Sequence, residues 1–225
     1  MMKRVISCLV LAAFFALPAL AAAEVNGVYI APRFLVGIQD SGEYSRTRVP
    51  SGAIDRYNQF VFGGALAVGY NFAPKFQLPI RAELEYAMRS ASRDSKSMAA
   101  PGFRGEYTQT TNLHTLFVNA YFDINTGTAF TPYIGAGLGM AFNNSSLDAE
   151  EYQPGWIVTA SRQQWDTTFA WNVGAGLSYA FTENIAADLG YRFVHTGYRE
   201  YAMGWASAGS APYIHEFYLG ARFTF

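Results

Sequence analysis

Between Ile80 and Arg89 the chain alternates with a period of two. Ile80, Ala82, Leu84, Tyr86 and Met88 hold one parity, and Arg81, Glu83, Glu85 and Arg89 hold the other. On a β-strand these sets point to opposite faces, one fit for an apolar surround and the other crowded with ions of both signs. The pattern returns near the end of the chain, where Phe217, Leu219, Ala221, Phe223 and Phe225 alternate with Glu216, Tyr218, Gly220, Arg222 and Thr224. Leu189, Tyr191 and Phe193 likewise alternate with Asp188, Gly190 and Arg192. A soluble sandwich or lipocalin-like barrel would turn its apolar face inward and spread Lys, Ser and Thr over the outer one. Here the polar face collects Arg and carboxylates, residues suited to pairing with each other inside a narrow lumen. The apolar face is therefore expected to meet lipid.

Composition supports a strand-built membrane protein. The chain is 51% hydrophobic and 16% aromatic with only 15% charged residues, yet beyond the N-terminus no stretch offers about twenty uninterrupted apolar residues for a spanning helix. The first residues follow a different rule. Lys3 and Arg4 precede an apolar run from Val5 to Leu17, then Pro18 and the small residues Ala19 to Ala23. This is expected to be a cleaved secretory signal over 1–23, leaving 24–225 as one outer-membrane β-barrel domain. The single Cys8 falls inside the apolar run of that signal, so the exported part is expected to be held by backbone ladders rather than disulfides. Without the two basic signal residues the remainder is mildly acidic, which gives no reason to propose nucleic acid as a partner.

Eight strands are predicted, near 28–38, 59–71, 78–89, 111–123, 131–142, 168–180, 185–195 and 213–225, of about the length a tilted crossing requires. Short turns (around Pro74, Asn125–Gly127 and Thr182–Asn184) alternate with long polar connections near 39–58, 90–110, 143–167 and 196–212. This arrangement predicts an all-β, eight-stranded antiparallel transmembrane barrel with four long extracellular loops, short periplasmic turns and both termini in the periplasm.

A barrel of eight strands is just wide enough for side chains to fill its interior. The expected lumen network is Arg33, Arg81, Arg89, Arg192 and Arg222 against Glu83, Glu85, Asp123, Asp188 and Glu216. Five cations facing five anions read as a structural ion-pair network rather than as a catalytic pair or conduction path. Gly135, Gly137, Gly139, Gly174 and Gly176 keep the inward parity of their strands and would make room for longer side chains. Tyr70, Phe72, Phe76, Tyr121, Phe122, Phe130, Tyr133, Tyr179, Phe181 and Phe225 lie near strand ends and are expected to form an aromatic girdle beside the short turns.

Several blocks in order carry a resemblance: Gly69–Tyr70–Asn71–Phe72, Arg81–Ala82–Glu83–Leu84–Glu85–Tyr86, Asn119–Ala120–Tyr121–Phe122–Asp123, Thr131 to Gly139, and Tyr191–Arg192–Phe193. In these the exported part resembles the outer-membrane β-barrel family that includes the opacity proteins, OmpX-like barrels and the OmpA transmembrane domain. The resemblance implies that Tyr218, Gly220, Phe223 and Phe225 form a C-terminal assembly signal read by the barrel insertion machinery. It also implies outer-membrane lipid and lipopolysaccharide as surroundings.

Barrels of this kind serve as adhesins, stability proteins, small pores or enzymes, so function must come from the residues. The favoured expectation is a non-enzymatic surface protein acting in surface interaction, adhesion or envelope integrity, with no cofactor or metal. Its loop aromatics Tyr44, Tyr57, Phe103, Tyr107, Tyr152, Trp156, Trp165, Tyr198, Tyr201 and Trp205 are candidate contacts to a host or cell-surface ligand. The alternative is a small porin-like channel, which the strand number disfavours because wide pores need about sixteen strands. A lipid A-modifying enzyme is less well supported: His114, His195 and His215 fall near outer strand ends, but no His–Ser or paired-Asp arrangement accompanies them.

Overall fold

The computed structural model describes residues 27–40, 44–47, 58–100, 103–153, 156–203 and 206–225. The signal expected over 1–23 lies outside them. Among the described residues twelve strands are formed: β1 Val28–Asp40, β2 Tyr44–Thr47, β3 Asn58–Asn71, β4 Ile80–Arg89, β5 Ser92–Ala100, β6 Phe103–Asp123, β7 Phe130–Gln153, β8 Trp156–Ala180, β9 Ile185–His195, β10 Arg199–Met203, β11 Ala206–Ser210 and β12 Tyr213–Thr224. One helical turn, α1, covers Ala73–Phe76.

Eight of these strands close a ring. The order β4-β3-β1-β12-β9-β8-β7-β6 returns through β6 to β4, every neighbouring pair antiparallel. No barrel strand is left with an unpaired edge at the level where the ring is complete, which is what a lipid surround demands of the backbone. First and last strands meet at the seam, where the Phe225 amide donates to Val28 O and the Gly27 amide donates to Phe225 O.

The faces are those of a barrel turned inside out relative to a soluble one. Arg81 is 1% exposed while Leu84, three residues on, is 54% exposed. Phe34, Val118, Leu138, Leu189 and Phe217 stand outward in the same way, and the inward parity carries the charges. Three short connections lie at one end of the ring, and local polar groups shape them. Asn71 Oδ1 accepts from the Ala73 amide, the Thr182 hydroxyl accepts from the amides of Asn184 and Ile185, and Gly127 supplies a positive φ of 69°.

At the opposite end the structure corrects one expectation. The stretches predicted as loops over 90–110 and 143–167 are mostly strand: β7 and β8 run on as one long hairpin with paired residues out to Gln153 and Trp156. β6 follows β7 to Arg104–Tyr152, and β5 pairs with β6 on its other side. The result is a four-stranded blade continuing from the ring. β2, β10 and β11 make a separate three-stranded sheet. Alternation in these stretches is between polar and polar, so it gives no hydropathy signal of period two, although Thr, Tyr and Val favour extended backbone.

The inward glycines have a specific use. Tyr29 stands directly opposite Gly69, Tyr121 opposite Gly135, Tyr133 opposite Gly176 and Tyr218 opposite Gly190. A Cβ at any of these glycines would run into the ring it faces. Four large inward rings can lie flat across the neighbouring strand only because that strand has no side chain there.

Candidate functional site

The inward parity of β1, β4, β9 and β12 brings the ions together on the barrel axis. Arg33 on β1 donates to Glu83 Oε1 at 2.7 Å and to Glu85 Oε2 at 2.5 Å. The other oxygen of Glu85 accepts from Arg192 at 2.6 Å, and Arg192 Nε reaches Glu216 Oε2 at 2.6 Å. Arg89 closes the run on Glu216 with bonds of 2.7 and 3.1 Å and donates to Thr115 Oγ1 at 3.2 Å. Glu83, Arg33, Glu85, Arg192, Glu216 and Arg89 thus form one unbroken ladder of alternating sign, every member nearly inaccessible.

Two further pairs lie toward the short-turn end. Arg81 grips Asp123 through Nε and Nη2, both at 2.8 Å. Arg222 donates to Ser178 Oγ at 2.8 Å and stands 3.7 Å from Asp188. All ten residues expected in the lumen are therefore inside it. Eight take part in ion-pair hydrogen bonds, and Arg222 and Asp188 approach at longer range.

Sequence reasoning misplaced two aromatics. Tyr121 and Tyr133, expected in the girdle, are buried in the lumen. Both keep the inward parity of their strands, in phase with Asn119 and Gly135, and proximity to a turn does not override that phase. They sandwich the Arg81 guanidinium, with ring centroids 5.0 and 4.9 Å from it. Tyr218 lies under Arg33 and Arg192 at 5.2 and 5.6 Å and bonds the Tyr133 hydroxyl at 3.0 Å. The other girdle members near β6, β7 and β8, including Phe122, Phe130 and Phe181, stand outward.

Asn119 and Asn172, bonded to each other at 2.9 Å, and a layer of inward apolar side chains were also missed. Their parity was readable from the sequence. Which of them meet was not, because that depends on register between strands.

The histidines do not converge. His114 stacks on Tyr86 with a 3.0 Å contact between Nδ1 and the Tyr86 hydroxyl. His195 stacks on Trp171 and accepts from the Gly197 amide through Nδ1. His215 lies 2.6 Å from the Tyr191 hydroxyl. The last two share an outward aromatic patch with Phe193 and Tyr213, whereas His114 is on β6, across the ring. Among the described residues, no three His, Cys, Asp or Glu side chains are placed to hold a metal ion.

Of the predicted contact aromatics, Trp156, Trp165 and Tyr198 are exposed. Tyr152 is half-buried and donates to Glu150 Oε2 at 2.6 Å, an acceptor that raises the pKa of its phenol. Tyr57 and Trp205, with the side chains of Tyr44, Phe103, Tyr107 and Tyr201, lie outside the described residues. Of the assembly-signal residues, Tyr218 and Gly220 face the lumen and Phe223 faces outward.

A closed ring of eight antiparallel strands, apolar outside and ionic within, defines a bilayer-spanning barrel. Residues 7–225 match the family described as "Outer membrane protein beta-barrel domain", and the chain belongs to that family and to the outer membrane. It is 35% identical over 142 residues to outer membrane protein PagN of Salmonella typhimurium, across 61% of this chain and 58% of that one. It is 25% identical to a Rickettsia bellii protein named "Putative adhesin", across 60% of each chain. The chain thus spans less than two thirds of these curated relatives. The outer membrane protein OprG from Pseudomonas aeruginosa shares the fold at a TM-score of 0.50 and 15% identity, over 89% of this chain and 97% of OprG.

Proposed function

We propose that this chain is a non-enzymatic surface protein of the outer membrane that makes its contacts through the blade formed by β5, β6, β7 and β8. The observation that carries the reading is the outer edge of β8. Over Trp156–Thr167 its ladder runs only to β7; pairing with β9 begins at Trp171. Among the described residues no strand covers that edge. It shows Trp156, Ile157 and Trp165 to solvent, and from 156 to 167 it contains neither Pro nor Lys, the residues that usually blunt an edge. An extended segment of another protein could add to it by main-chain hydrogen bonding, with the indoles supplying apolar anchors. The adhesin name of one relative agrees with this reading. The ladder argues against catalysis, since Glu85 and Glu216 are each held between two arginines.

Joining Ser145 to Gln164, a directly opposed pair, through Asn-Gly in place of 146–163 removes the outer hairpin and leaves a two-residue turn. Bacteria displaying this variant should attach to cultured animal cells no better than bacteria lacking the protein, while its heat-modifiable gel mobility is unchanged. Undiminished attachment would rule the blade out as the contact surface.

In the same reading the short turns and both termini lie in the periplasm and 1–23 is removed on export. Lipopolysaccharide surrounds the outward patch of His195, Tyr213 and His215. The assembly machinery reads Tyr218, Gly220, Phe223 and Phe225. Phe225 holds two backbone bonds at the seam, so its deletion should lower the amount inserted several-fold, read by outer-membrane fractionation. Normal levels would show that the terminal residue is not part of the signal.

A further inference from the structure

All three histidines of the chain stand on the outward parity of ring strands toward the long-hairpin end: His114 on β6, His195 on β9 and His215 on β12. Their flanking residues Leu113, Thr115, Val194, Ile214 and Glu216 are buried. Toward that end the outward face changes character. On β9 the outward series is Leu189, Tyr191, Phe193 and His195, and on β12 it is Leu219, Phe217, His215 and Tyr213. Aliphatic side chains give way to rings with polar edges, the change expected where hydrocarbon meets headgroups.

Each imidazole is held from one side. His195 lies flat on Trp171, with ring centroids 5.6 Å apart and 15° between the planes, and its Nδ1 accepts from the Gly197 amide at 3.2 Å. A backbone amide only donates, so Nδ1 carries no hydrogen and the ring hydrogen is on Nε2. His215 lies on Tyr191 at 6.1 Å and 19°, its Nδ1 2.6 Å from the phenol oxygen. With that phenol as donor the same tautomer results, and His215 also presents an Nε2 hydrogen. Among the described residues no protein group bonds either Nε2 atom.

The two imidazoles are neighbours. Tyr213 is directly opposite His195, and His215 lies two residues further along β12. Such a diagonal pair has its backbones about 7–8 Å apart, within reach of one tetrahedral anion between the side chains. Asp40 stands opposite Tyr213 on β1, so that ring separates it from His195. His114 repeats only half of the arrangement. It stacks on Tyr86, with Nδ1 3.0 Å from the hydroxyl, but its partners across the ladder are Met88 and Phe142 and neither of the other histidines adjoins it.

We propose that His195 and His215 form a docking site for a phosphate of lipopolysaccharide, each imidazole donating its Nε2 hydrogen to a phosphate oxygen. The proposal rests on the reading that lipopolysaccharide surrounds this patch. Two preset N–H donors side by side select an anionic oxygen, and bonds to a charged acceptor are stronger than neutral ones. At headgroup depth on the outward face of an outer-membrane barrel, the anion within reach belongs to a lipid. The stacked indole and phenol fix the rings, so little side-chain freedom remains to be lost on binding.

The test uses the full chain, purified, reconstituted in phosphatidylcholine vesicles that contain a minor fraction of lipopolysaccharide, and re-extracted in mild detergent. The lipopolysaccharide that copurifies is counted per barrel. Parallel vesicles contain lipopolysaccharide stripped of its phosphates, or phosphatidylglycerol. The unaltered chain should retain intact lipopolysaccharide about tenfold better than either. His195→Phe with His215→Phe keeps both stacks and removes both donors, and should lower retention to the level of the stripped form. His114→Phe should retain as much as the unaltered chain. Only protein with the heat-modifiable mobility of the closed barrel is compared, and His215→Phe alone serves if the double variant does not fold. Equal retention of intact and stripped lipopolysaccharide would overturn the phosphate contact while leaving the lipid surround standing; retention of neither would remove both. Undiminished retention by the double variant, an equal loss in His114→Phe, or equal retention of phosphatidylglycerol would also overturn the proposal.

Discussion

Arg192→Met is expected to destabilise the barrel by about 3–5 kcal/mol, the cost of leaving buried charge uncompensated. Arg192 is the joint of the ladder: it donates at 2.6 Å to Glu85 and at 2.6 Å to Glu216, and both carboxylates are inaccessible to solvent. Methionine fills similar space with no charge, so the lumen would hold five acids against four bases. Urea unfolding in lipid vesicles gives the measurement. The exposed pair Arg104–Glu106, at 2.7 Å with side chains 65% and 44% accessible, provides the contrast. Arg104→Met should cost less than about 1 kcal/mol, because water screens that pair. Equal costs at the two sites would mean that the lumen is far more polarisable than its burial implies.

Gly190→Val should cost about 1–3 kcal/mol by overpacking, before any lost hydrogen bond is counted. The new side chain would meet the far end of the Tyr218 ring. Such a ring could ordinarily swing away, but this one is bonded to the Tyr133 hydroxyl and lies under the guanidinium groups of Arg33 and Arg192. Moving it disturbs the ladder as well. A double-mutant cycle separates this from a general intolerance of side chains in the strand. In a Tyr218→Ala background, Gly190→Val should lose most of its penalty. An undiminished penalty would show that the glycine serves the backbone rather than the ring.

The contrast between these two predictions follows what could be read from the chain. The ladder's members were legible as Arg and Glu on the inward parity of 28–38, 80–89, 188–193 and 216–225, because a strand gives each residue a face whatever its neighbours are. The Gly190–Tyr218 pairing was not, although both residues were placed inward. It needs the register of β9 against β12, and a slip of two residues would keep every face while changing every partner. Tyr121 and Tyr133 show the complementary error: nearness to a turn suggested a headgroup-level girdle, while their parity already pointed to the lumen. The blade was missed for another reason. Strands polar on both faces carry no hydropathy period, so β7 and β8 beyond the apolar band look like loop until their ladder is seen.

What the sequence determined by itself is the outside of this protein: an apolar surface of period two, repeated eight times between turns, has few stable arrangements other than a closed barrel in lipid. Only the tertiary structure decided the inside. Closure of the ring set which arginine meets which carboxylate, which glycine receives which tyrosine, and that apolar side chains from six strands would meet in one buried cluster. The physical reason is range. A side chain's face is fixed by the backbone it stands on, whereas its partners are fixed by strands far along the chain: Arg89 is 127 residues from Glu216.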